Sequence, residues 1–366
     1  MKAMPVFALG FRPLYLLAGL YAALGVPLWA LQFSGWLPGA NLYWHAHEML
    51  FGYAFAVIAG FLLTAVRVWT GRPTPSGAPL AAIAALWLTA RLVALHSLFL
   101  SSLVDAAFAA AVAWGIGQPI LASRNRNGFF IVLVLALGAA SVAFQAWPQV
   151  ALAVGLDVVL LVIAIMGGRV IPPFTNNGAP GANARRNAWL ERAALGAVIL
   201  ILLLDVLQLP VWPVAFVAAA LHAARLALWS PLATRGRPIL WILHLSYAWV
   251  VVHLALRGFA GLALVPPGLA THALTVGVIG GLTLGMMTRT SRGHTARPLK
   301  VGPWETAAYV LVHLAALVRV FFPLVFPTLY PALILASGVL WSLAFALFTV
   351  VYLPILTRPR LDGQPG

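Results

Sequence analysis

The chain has 366 residues, of which 63% are hydrophobic and only 8% charged. A water-soluble domain carries roughly a quarter charged residues, so this composition excludes one and calls for a lipid-facing surface. The formal charge of +15 is spread through short loops rather than gathered on one arm, which argues against nucleic acid, and the lack of cysteine removes disulfides, thiolate haem ligation and iron–sulfur clusters.

A spanning helix needs about 20 mostly apolar residues. Such runs occur near 14–33, 45–68, 79–97, 98–121, 128–147, 149–171, 188–208, 210–229, 238–257, 268–289, 303–322 and 330–356. The expectation is an all-α polytopic membrane protein of about twelve spans, a single integral membrane domain over 1–366. Turn chemistry marks the breaks: Ser34 to Gly39, Trp147-Pro148, Pro172-Pro173, Leu209-Pro210 and Pro266-Pro267-Gly268. The polar, glycine-rich stretch 172–187 reads as the longest loop. Lys2 and Arg12 precede a run long enough to span, with no cleavage site after it, so no cleavable signal is expected.

Nineteen of the 22 Lys and Arg fall at the N-terminus, in the loops after even-numbered spans, or in the tail. That bias places both termini on the cytoplasmic side and demands an even span count. The exceptions are Arg91, Arg257 and Arg319. An internal echo accompanies the pattern: Arg12-Pro13, His47, Gly52, Gly60 and Arg72-Pro73 recur 225 residues later as Arg237-Pro238, His272, Gly277, Gly285 and Arg297-Pro298. Spans 1–2 thus resemble spans 9–10 in the same orientation, with two blocks of four spans between the copies' starts. Three four-helix blocks, as in the haem–copper oxidases, are compatible with this as an analogy of fold alone.

Ionisable residues inside spans are expensive and mark sites. An outer layer holds His45, His47, Glu48, His96, His253 and His272, with Arg91, Arg257, Arg319, Asp105, Asp157 and Asp205 at similar depth. Two imidazoles can ligate haem iron, and buried Arg can pair its propionates. His47 and His272 are the expected axial pair because the repeat relates them. His45, two residues before His47 and so about 200° round the helix, is the substitute. Glu48 shares a face with His45 and is a hydrogen-bond partner. Asp105, Asp157 and Asp205 are the expected proton entry. An inner layer holds His222, His244 and His294, a three-imidazole set of the kind that binds copper, with Tyr247 as a hydrogen-bonding or redox partner. The plain alternative is that the Arg and acids pair with one another and the glycines of span 10 serve helix packing.

At these residues the chain resembles the NnrS family. The resemblance is carried by Trp44-His45-Ala46-His47-Glu48-Met49, Gly60 to Ala65 with Trp69-Thr70-Gly71, Gly168 to Thr175, Leu243 to Trp249, and His272 to Gly277 continuing through Gly285 to Thr295. Arg67 and Ala296 depart from the pattern. The resemblance implies a bacterial inner-membrane protein containing b-type haem and copper, linked to nitric oxide and nitrosative stress. It supplies no reaction. A haem-bearing protein acting on nitric oxide or its iron adducts is the first expectation. A twelve-span transporter of a metal, haem or nitrosylated iron is the second, and a haem-based sensor or scaffold without turnover the third.

Overall fold

The computed structural model describes residues 4–38 and 41–364; Lys2 and the turn residue Gly39 lie outside the described residues. Twelve principal helices follow one another: α1 (Phe11–Phe33), α2 (Leu42–Thr70), α3 (Ala78–Ala94), α4 (Leu98–Ala122), α5 (Phe129–Ala143), α6 (Pro148–Gly178), α7 (Ala188–Val206), α8 (Trp212–Leu228), α9 (Pro238–Gly261), α10 (Pro267–His294), α11 (Pro303–Val320) and α12 (Tyr330–Thr357). Among the described residues no strand occurs, and nine helical stretches are long and apolar enough to cross a membrane. The others fall short for plain reasons. Helices α3 and α8 have 17 residues each, and α7 carries Glu191, Arg192 and Asp205. The protein is an all-α polytopic membrane protein.

The helix starts follow local chemistry. Proline occupies the first turn of α3, α6, α8, α9, α10 and α11, where its missing N–H costs nothing. Asn41 caps α2 by accepting from the backbone N–H groups of Tyr43 (2.9 Å) and Trp44 (3.1 Å). One boundary departs from expectation. Helix α6 continues through Pro172 and Pro173 to Gly178, so the expected loop at 172–187 begins only at Ala179. The Thr175 hydroxyl donates to the Ile171 carbonyl (2.8 Å) and is hydrogen-bonded to the His244 ring, tying this extra length to α9.

Both ends of the described chain meet at one face, here called the near end, where the Arg12 guanidinium donates to the carbonyls of Leu356 (3.1 Å) and Arg358 (2.8 Å). There the tail pair Arg360–Asp362 (2.6 Å) holds the Asp362 carboxyl down at about 2. The opposite face is the far end. Helix α4 packs on α5, α8 on α9, and α12 on α1. One step inward, α2 meets α5, α6 meets α9, and α10 meets α1. The three blocks α1–α4, α5–α8 and α9–α12 therefore join one another by the same contacts around a ring.

The 225-residue echo extends further than the sequence pattern. Leu42 and Pro267 open α2 and α10, and Ala78 and Pro303 open α3 and α11. Both α2 and α10 are interrupted by a π-helical stretch, Glu48–Ala54 in one and Ala273–Gly280 in the other, again beginning 225 residues apart. Such π segments are uncommon and cluster at functional sites. Two copies in register identify a structural repeat, not coincidence among common residues. The span 10 glycines serve close packing: a Cβ on Gly277 would strike Trp249, one on Gly280 would strike Trp341, and one on Gly281 would strike Ser246 Oγ.

Candidate functional site

Each block has polar residues near the far end, with different outcomes. In the first, Arg91 of α3 lies across Gly52, where a Cβ would strike its Nη1. It donates to Asp105 (2.5 Å) and its Nε is 3.3 Å from Glu48. Tyr21 donates to Glu48. His47 joins the same network: Nδ1 is 2.9 Å from Glu48 Oε1, and Nε2 is 3.1 Å from both Ser102 Oγ and Ser141 Oγ. His47, Glu48 and Asp105 are wholly buried. One cation thus faces two carboxylates, and both His47 nitrogens are engaged.

The second network has the same composition. Arg257 of α9 donates to Asp157 (2.5 Å) and to Asp205. Asp105, Asp157 and Asp205, the acids expected to admit protons, are therefore each held by an arginine. Arg91 and Arg257, expected beside propionates, already pair with carboxylates of this chain. In a low-dielectric interior such pairs persist because each charge would be costly alone.

The third block differs. Between α1, α2, α6, α10, α11 and α12 lies a far-end cavity of about 200 Å³, open at its mouth. Its walls are mostly apolar and aromatic, with Trp29, Met49, Tyr53, Val276 and Trp341 among them. Polar exceptions include His45, His272 and Arg319.

The local chain explains these placements. The Asn41 cap fixes the rotation of the first turns of α2. His45 and His47, two residues apart, then point to opposite sides. His45 enters the cavity and stacks on Trp29 with ring centroids 4.1 Å apart; its Nδ1 is buried without a hydrogen-bond partner. His47 turns into the Arg91 network, away from His272. His272 Nδ1 donates to the Gly268 carbonyl (2.6 Å), which fixes the ring and leaves Nε2 as the free lone pair. The structure thus brings together His45, His272 and Arg319 of the six residues expected at a haem, and places His47, Arg91 and Arg257 elsewhere.

The inner histidines do not converge. His222 Nδ1 is 2.7 Å from the Tyr247 hydroxyl, which also accepts from Arg225 (2.6 Å); Arg225 in turn clasps Glu191 at 3.2 and 2.7 Å. His244 meets Thr175 (2.8 Å). His294 packs on Phe11 at the near end beside Arg67 and Arg360. Among the described residues no group of three His, Cys, Asp or Glu is placed to hold a metal ion. The expected copper set therefore does not fit one ion: its members belong to three separate environments. Tyr247 is hydrogen-bonded as expected, but within a structural ion-pair network.

Sequence reasoning missed Trp29. Its indole N–H is buried and without an acceptor, and it lies where α1 reaches the far end. No spacing marks it, because its importance comes from stacking on a histidine of another helix.

No curated protein matches the chain. A family model described as NnrS protein matches residues 5–360, and the polar residues described here, from Arg12 to Arg360, all lie within that match, so the chain belongs to the NnrS family.

Proposed function

We propose that the far-end cavity is a haem site and that the protein acts in the bacterial inner membrane, termini cytoplasmic, on nitric oxide or its iron adducts. Family membership points to a nitric-oxide-related membrane protein. The observation that carries the haem reading is the meeting of two imidazoles and a cationic guanidinium in one apolar, aromatic-walled cavity. The residues present fit the group. His272 is oriented by its bond to the Gly268 carbonyl, and His45 has a buried ring nitrogen that lacks any partner. A b-type haem, held by coordination and packing, suits a chain without cysteine.

Haem iron supplies reversible binding of nitric oxide and one-electron chemistry. This chain's part is to hold and shield it. His45 and His272 are the residues that would hold it. Trp29 fixes the His45 ring by stacking. The apolar walls would limit water around the haem.

The test is an optical spectrum of the purified protein and of His45→Ala and His272→Ala. The wild-type protein is expected to show Soret and α bands that respond to dithionite. Each variant is expected to lose or shift them. Unchanged bands in both variants would remove these ligands from consideration.

A further inference from the structure

We infer that the cavity takes its ligand with a pair of acidic groups directed to Arg319, so that the ligand supplies the countercharge the chain withholds. This rests on the haem reading and gives the bound molecule a direction.

The chain has seven side-chain carboxylates. All seven are committed: Glu48 and Asp105 to Arg91, Asp157 and Asp205 to Arg257, Glu191 to Arg225, Glu305 to Arg292, and Asp362 to Arg360. Arg319 is buried, with 7% of its surface exposed. Its polar contact is the Tyr330 hydroxyl, accepting at 3.3 Å, with the Tyr330 ring beneath the guanidinium at 5.4 Å.

The internal repeat provides a control within the same molecule. Arg91 and Arg319 sit on equivalent helices, α3 and α11, one helical turn apart in the 225-residue register and so on the same face. The two acids that neutralise Arg91 are Glu48 and Asp105. The counterpart of Glu48, at the start of the matching π stretch, is Ala273; α4 and α12 start 232 residues apart, so the register does not carry Asp105 onto α12. That acid is gone, no side-chain carboxylate pairs with Arg319, and a cavity lies beside it. The Arg257 network likewise sets two carboxylates against one guanidinium. Two of three arginines near the far end are thus closed by a carboxylate pair, and the third faces a space for one. A porphyrin with two propionates has the matching charge.

The probes are protoporphyrin IX and haem, each against its dimethyl ester, titrated by absorbance into the full-length protein in one detergent. The wild-type protein is expected to prefer the diacid by roughly tenfold or more, as for a desolvated charge pair. That preference should collapse toward unity in Arg319→Gln. It should also collapse in Tyr330→Asp, which puts a carboxylate at the residue whose hydroxyl meets Arg319, and survive in Tyr330→Phe. Equal binding of diacid and diester by the wild-type protein, or a preference that persists in Arg319→Gln, overturns the inference and leaves the haem reading standing. A diacid preference with protoporphyrin IX, but no histidine-ligated spectrum with haem, supports the inference and removes the ligand assignment. Failure of all four porphyrins to bind overturns both.

Discussion

At the scale of single residues, the far end separates arginines that hold the fold from one that faces a cavity. Arg91 reaches both Asp105 and Glu48 in a fully buried setting. Arg91→Ala leaves two carboxylates without their cation and should cost about 3–5 kcal/mol, the range for breaking a buried pair from one side. Thermal unfolding in detergent, or loss of folded protein from the membrane, reads this out. Arg319→Gln removes a charge that no carboxylate of the chain balances. In ligand-free protein its stability should match or exceed wild type; a loss as large as that of Arg91→Ala would refute the distinction. The two neighbouring histidines divide in the same way. His47→Ala removes one hydrogen-bond partner each from Glu48, Ser102 and Ser141 and should lower stability by about 1–3 kcal/mol while leaving any haem spectrum intact. His45→Ala and His272→Ala should do the reverse. The sequence showed both His45 and His47 as candidates. The repeat favoured His47, with His45 as the substitute; which of the two faces the cavity depends on helix rotation, which the Asn41 cap helps set through two backbone hydrogen bonds.

At the scale of elements, the π segments of α2 and α10 carry most of what was hidden. Hydrophobic runs located both helices, and the 225-residue echo paired them. Nothing in residue spacing announced that each would widen at Glu48–Ala54 and Ala273–Gly280. An inserted π turn changes the rotational phase between the helical turns on its two sides. Deleting one residue within Glu48–Ala54 should restore α-helical winding and rotate the first turns of α2 by about 100° relative to the rest. His45 would then leave the cavity. The expected result is a folded protein that fails to bind haem; retention of an unaltered spectrum would show that the π turn does not set the site. Gly52→Ala tests the same element by crowding. Its Cβ would collide with Arg91 Nη1, so Arg91 must move and the network with it. Destabilisation approaching that of Arg91→Ala is expected in the same unfolding assay. The loop expected at 172–187 is shorter than the two prolines implied, because Thr175 and its bond to His244 keep α6 helical to Gly178.

At the scale of the molecule, charge and hydropathy made the architecture legible. Twelve apolar runs correspond to twelve helices among the described residues, nine helical stretches being long and apolar enough to cross a membrane. Of the three arginines that break the charge bias, two close on the protein's own acids. That split was illegible because Glu48, Asp105, Asp157 and Asp205 lie far from their partners in the chain, and only the ring of three blocks brings them together. The inner histidines, similar in depth, were separated by the same ring. The third block is the one left open to ligand, and the haem reading stands or falls on its occupant. The most direct measurement is the absorbance spectrum and haem content of the full-length protein purified from haem-replete cells, before and after dithionite and nitric oxide. Haem is predicted in about one copy per chain, with Soret and α bands that sharpen on reduction and shift with nitric oxide. A folded but colourless protein from such cells would contradict the haem reading.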